Sequence, residues 1–162
     1  EKIISVFNNA DYLVVNTHGT GFGFYSITKK GIILDALLGS DIKNNVNNPG
    51  LQVSSFACYG GAIDKDNENK AISKNTSIAF AFLQSGAAML LGNTRFSSGD
   101  LRVNTEHNAA MLFAIINKDS RPAGDIVNEY RNAQLNKEFI YKLSALSRQI
   151  YGDPLLSFYK AS

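Results

Sequence analysis

L-Q-V-S-S-F-A-C-Y-G-G-A, running from Leu51 to Ala62, fixes the frame of this 162-residue chain. It starts as a short apolar run of alternating character and ends on the chain's only cysteine, Cys58. Tyr59, Gly60 and Gly61 then break the strand pattern. A strand that ends in a cysteine and glycines projects its sulfur from the carboxyl edge of a sheet, where open α/β sheets bind their ligands. The competing interpretation is a buried cysteine acting as a small hydrophobe.

A second stretch bears on that choice. Tyr12 to Gly23 reads Y-L-V-V-N-T-H-G-T-G-F-G, an apolar strand that ends in His18 and a glycine-rich turn. If the two strands are parallel neighbours, His18 and Cys58 emerge side by side. A thiol needs a nearby imidazole to reach its thiolate form near neutral pH, so the pair suits nucleophilic catalysis. The spacing of G-T-G-F-G matches neither a dinucleotide loop nor a P-loop, and a tight turn beside His18 is expected instead.

Composition narrows the function classes. A hydrophobic content of 44% in 162 residues is enough for one core. The net charge is +2, with lysines and arginines scattered and no basic stripe, which argues against a nucleic-acid partner. No apolar run reaches the length of a membrane span, and no signal-peptide pattern opens the sequence. A single cysteine forbids an internal disulfide framework and any multi-cysteine metal site. The carboxylates between Asp64 and Asn75 lack the glycine and closing glutamate of a calcium loop, so a solvated loop is expected there.

In chain order, Ile3, Ile4 and Phe7 predict a helix over residues 1–9, followed by a strand from Asp11 to Asn16. Ile32 to Leu38 predicts a short helix or an irregular packed segment, and Asn44 to Gly50 a polar loop. Thr76 is expected to cap a helix that stops at Gly86, and Ala87 to Leu91 to form a third strand. A long loop follows from Asn93 to Asn104. A helix over Thr105–Asn117 is expected to face inward through Ala109, Leu112, Phe113 and Ile116. Further helix runs from Pro122 to Leu146, with a break on the way, and Leu155 to Tyr159 closes as a strand or extended tail. This alternation predicts a three-layer α/β domain with a mostly parallel sheet, spanning residues 1–162 as one unit.

The motifs V-N-T-H-G, V-S-S-F-A-C, A-F-A-F-L-Q-S-G-A-A-M-L-L-G-N-T-R and Y-G-D-P-L-L cover most of the chain from Tyr12 to Phe158. In their order and spacing the sequence resembles the caspase-like cysteine peptidases, and within them the gingipain-like peptidases. The helix–strand block also resembles CHAT domains. The resemblance implies a caspase-like fold from its third strand onward. The first strand–helix–strand unit of relatives has no counterpart here, so this chain is expected to be the C-terminal, dyad-bearing portion. An upstream segment or partner chain would then complete the sheet. Relatives often carry a glutamate just before the helix that follows the cysteine; the nearest acid here, Glu68, sits well upstream.

The resemblance further implies a cysteine endopeptidase acting on protein or peptide substrates, with Cys58 as nucleophile and His18 as acid–base. The backbone N–H groups of Gly19 and Cys58 are the implied oxyanion donors. No cofactor is implied; calcium stabilises loops in several relatives, but no residue set here marks a site for it. The compartment is not specified, beyond the secreted bacterial setting that the resemblance suggests. Tyr59, Arg95 and Asp100 are candidates for substrate binding, Asp100 as an acid for a basic side chain. Solvated or loop-holding roles compete for the two charged residues. An amidotransferase arrangement using His107 needs G-x-C-x-G and His-x-Glu, whereas the chain has F-A-C-Y-G and His107-Asn108-Ala109. A non-catalytic scaffold has no chemical need to keep both His18 and Cys58.

Overall fold

A computed structural model describes residues 2–27, 30–31, 33–65, 68–95 and 111–159. The elements are α1 (Lys2–Asn9), β1 (Tyr12–Val15), β2 (His18–Gly19), β3 (Gly23–Ile27), β4 (Ile33–Leu38), α2 (Gly39–Asn45), β5 (Gln52–Ser55), α3 (Ile78–Gln84), β6 (Met89–Asn93), α4 (Ala123–Leu135), α5 (Phe139–Ser147) and β7 (Arg148–Gly152). Residues 111–116 are also helical.

The main sheet has the order β1-β5-β6-β7. β1, β5 and β6 are mutually parallel, and β7 runs antiparallel to β6. Register follows side-chain alternation. Leu51, Val53 and Leu90 face one core, built with Phe7, Ile42, Ile78 and Phe82 from α1, α2 and α3. Met89 and Leu91 face a second core with Met111, Ala123, Ile126 and Val127. Helices therefore lie on both faces of a mostly parallel sheet. This is the mixed α/β architecture expected from the strand–helix alternation.

Several local expectations change. Ile33–Leu38 is a strand rather than a helix, and it pairs antiparallel with β3, which arises from the glycine-rich segment. A short apolar run has no period that separates helix from strand; the partner strand decides. β2, β3 and β4 form a small second sheet, whose Phe24 and Leu37 close the first core. The asparagine-rich loop before β5 has a structural task. Asn48 Nδ2 donates to the carbonyls of Phe7 and Ala10, both at 2.7 Å, satisfying acceptors at the end of α1. Within the same stretch, α2 occupies residues up to Asn45.

The cap of α3 is Ser77, not Thr76: its hydroxyl accepts from Phe80 N at 3.3 Å and donates to Ala62 O. The helix over 111–116 turns the opposite way from expectation. Met111 is 0% exposed, whereas Phe113 is 60% and Ile116 71% exposed. With mostly apolar residues on every side of M-L-F-A-I-I, the 3.6-residue period leaves the inner face undetermined. Ala109 lies outside the described residues. The last sheet strand is Arg148–Gly152, which runs into the Gly-Asp-Pro turn; among the described residues after it, the one bridge is Pro122 with Ser157. The helical stretch breaks between α4 and α5 at residues 136–138.

Candidate active site

The site is built where β1 and β5 end together. Their parallel register pairs Val15 with Ser55, and Phe56 N donates to Val15 O at 2.9 Å beyond the last pair. Both strands then leave the sheet at the same edge. β1 leads through Asn16 and Thr17 into His18–Gly19, which pairs with β3 as His18 to Tyr25 and Gly19 to Phe24. β5 leads into Ala57 and Cys58.

Gly19 shows how near the two exits lie. A Cβ built on it would sit 2.6 Å from the Ala57 Cβ and 2.9 Å from the Cys58 carbonyl oxygen. Real Cβ atoms do not approach that closely, so only glycine fits beside the Ala57–Cys58 peptide. The His-Gly and Ala-Cys dipeptides are thereby side by side at the carboxyl edge of the sheet. The His18 ring is exposed and stacks on Tyr25, with centroids 5.6 Å apart and planes 18° from parallel. This stacking limits where the imidazole can swing. Cys58 forms no disulfide and is of intermediate exposure.

After Cys58 the chain makes a compact turn. Tyr59 adopts φ +56, the left-handed region that side chains other than glycine's seldom occupy. The turn docks main chain to main chain on the end of β6 and the residues after it. Tyr59 N donates to Arg95 O at 3.0 Å, and Gly61 N to Asn93 O at 2.8 Å. Gly61 and Gly92 allow this contact, because a Cβ on Gly61 would lie 2.8 Å from the Gly92 carbonyl carbon. Tyr151 of β7 adds a hydroxyl donated to Gly61 O at 2.6 Å. Burial raises the pKa of this phenol, so it stays protonated as a donor.

Among the predicted substrate-binding residues, Tyr59 lies next to Cys58 on this turn. Arg95 also reaches the turn, through its carbonyl. Its guanidinium grips Asp64 with two bonds, Nη1 to Oδ1 at 2.9 Å and Nη2 to Oδ2 at 2.7 Å. The bonds from Arg95 hold the Asp64 carboxyl down at about 2, and the carboxylate in turn raises the Arg95 pKa. Asp100 and His107 lie outside the described residues. Glu68, the upstream acid, is paired with Lys70.

Behind the turn stand residues that sequence inspection did not single out. Arg148, at the start of β7, is buried; its Nη2 donates to Ser54 Oγ at 2.8 Å, and its guanidinium carbon lies 5.6 Å from the centre of the Phe56 ring. Burial lowers its pKa to about 9, which leaves it charged at neutral pH. Asn93, at the end of β6, donates Nδ2 to Phe56 O at 3.2 Å. The sequence signal for Asn93 was its place after an apolar strand, in G-N-T-R. Nothing in the sequence marked Arg148 as buried. Among the described residues, no group of three or more His, Cys, Asp or Glu side chains is placed to hold a metal ion.

The family model of Peptidase family C25 matches residues 2–159, nearly the whole chain. The chain belongs to peptidase family C25. It is a gingipain-like, cysteine-type peptidase, a hydrolase whose substrates are proteins. No curated protein matches the sequence. No described helix is long and apolar enough to cross a membrane.

Proposed function

We propose that this C25 peptidase is an endopeptidase working through Cys58 and His18. The observation that supports the proposal is that Gly19, the residue after His18, lies against the Ala57–Cys58 peptide at the end of two parallel strands. The Cys58 thiolate attacks the scissile carbonyl carbon, forming a C–S bond and a tetrahedral oxyanion. His18 then protonates the leaving amine as the C–N bond breaks, leaving a thioester. Water attacks the thioester while His18 takes its proton; the C–S bond breaks, and the acid product and free thiol are released.

The N–H groups of Gly19 and Cys58 are our candidates for holding the oxyanion. Loss of one such donor costs about a hundredfold to a thousandfold in rate. Tyr59, Arg95 and Asp100 would border the substrate, Arg95 while bound to Asp64. The scheme uses no metal or organic cofactor.

The test is Cys58→Ala beside His18→Ala and His107→Ala, with turnover and thermal melts measured on each. Cys58→Ala is expected to lose turnover on the order of a millionfold, with its melt close to that of the parent. His18→Ala should be comparably damaged, and His107→Ala should act like the parent. Parental turnover in Cys58→Ala would overturn the dyad.

A further inference from the structure

We propose that Asn93 is a positioning residue for Cys58, bracketing the nucleophile's turn from both sides. This inference rests on Cys58 being the nucleophile. Asn93 ends β6 at 1% exposure. Its side-chain Nδ2 donates to Phe56 O, two residues before Cys58. Its main-chain oxygen accepts from Gly61 N, three residues after Cys58.

The chemistry at this point requires a donor. β5 pairs with β6 through Ser54 and Leu91, and beyond that the Phe56 carbonyl needs a donor from elsewhere. That carbonyl is part-buried, and a shielded carbonyl left without a donor is unfavourable. Only the amide end of Asn93 can face an acceptor, so its orientation is set. As a consequence Oδ1 is buried with no hydrogen-bond partner. A leucine would fill similar room without that oxygen, but it would release Phe56 O and with it the start of the Cys58 turn.

Position, rather than fold, is what Asn93 adds. The turn is also held by Arg95 O on Tyr59 N and by Tyr151 on Gly61 O. Losing the Asn93 amide should therefore leave the turn formed but its cysteine end less fixed. A small displacement of a nucleophile lowers turnover far more than substrate affinity.

Asn93→Asp and Asn93→Ser separate the roles. Aspartate keeps the shape without the donor, and it lies directly across the β6–β7 ladder from the Arg148 cation, on the same face. Serine is too short to span to Phe56 O. For each variant, kcat and KM on labelled casein, the iodoacetamide labelling rate of the single cysteine, and the thermal melt are measured.

In a variant that melts cooperatively, kcat should fall about tenfold to a hundredfold, with KM within about twofold and an altered labelling rate. A cooperatively melting variant with parental kcat and labelling would overturn the proposal. So would failure of both variants to fold, since Asn93 would then be a structural residue only. Cys58→Ala, run in parallel, keeps the cases apart. If it is active, the dyad itself is wrong; if it is inactive while Asn93→Asp matches the parent, only the positioning role falls.

Discussion

The two faces of the sheet treat the strand that leads to Cys58 differently. On one face, Val53 packs into an apolar core that includes Phe82, whose ring lies 6.0 Å from that of Phe7 and 6.3 Å from that of Phe24. On the other face, the same strand presents Gln52 and Ser54. These are met by the carbonyl of Ser157 at 2.9 Å and by the buried guanidinium of Arg148. Packing is strong but non-directional. Hydrogen bonds add less net stability and fix geometry instead. The comparison teaches that stability and aim are unevenly divided between the faces. The first face chiefly holds the strand in the sheet, although Ser55 Oγ on that side also accepts from Ala57 N at 3.3 Å; the second meets the strand with directed bonds that help set where its end points.

If that division is right, substitutions should rank accordingly. The largest loss is expected for Phe82→Ala, about 3–5 kcal/mol for a fully buried aromatic ring, read by urea denaturation; a loss below that of Arg148→Met would break the comparison. Next comes the helical layer of the second face. Met111→Ala should cost about 2–5 kcal/mol, whereas Ile116→Ala should stay within about 0.5 kcal/mol, because the first is buried and the second mostly exposed. The reverse order in paired thermal melts would restore the inward face expected from sequence.

Arg148→Met should cost about 1–3 kcal/mol from the acceptors it orphans, partly offset by removing a buried charge. Its turnover should fall more than its melt would suggest. Equal and small changes in both would mean that the polar face does not aim the strand.

The smallest effect belongs to the half-exposed Asp64–Arg95 pair. The folded carboxyl titrates at about 2 against its ordinary 3.8. The pair's stability is therefore complete above the ordinary value and lost as pH falls through the folded one. Because solvent screens the pair, the increment should be under about 1 kcal/mol. Asp64→Asn should lack that acid-limb dependence in melts taken between pH 4 and pH 2. An unchanged acid limb in the variant would show that the pair contributes nothing to the turn.

Legibility varied along the chain for physical reasons. β1 was readable as the apolar run Y-L-V-V ahead of a glycine-rich turn, and β5 from the alternation of L-Q-V-S ahead of Cys58 and its glycines. Helices α1 and α4 were readable from their apolar spacing, and α3 from an apolar run that stops at Gly86, although its cap is Ser77 rather than Thr76. β4 was not, since seven apolar-rich residues fit either period. β7 was missed because R-Q-I-Y-G is half-polar and becomes a strand only by pairing with β6. At the site, the His-Gly and Ala-Cys motifs stood out as residue types. The engagement of Arg95 by Asp64, 31 positions away, did not, because an ion pair between distant loops leaves no local pattern.

By itself, the sequence determined the strand–helix alternation, the apolar strands that end in His18 and Cys58, and the peptidase family. Those are properties of local periodicity and of residue type, and they survive without a partner. Only the tertiary structure decided which strand lies beside which, which face of the 111–116 helix is buried, and how the Cys58 turn is held. A glycine at position 19 or 61 is a turn signal in sequence; that each lets another stretch of backbone within contact is known only once the two segments meet. Asn93 and Arg148 are ordinary polar residues in sequence, and burial at the end of the sheet gives them their tasks.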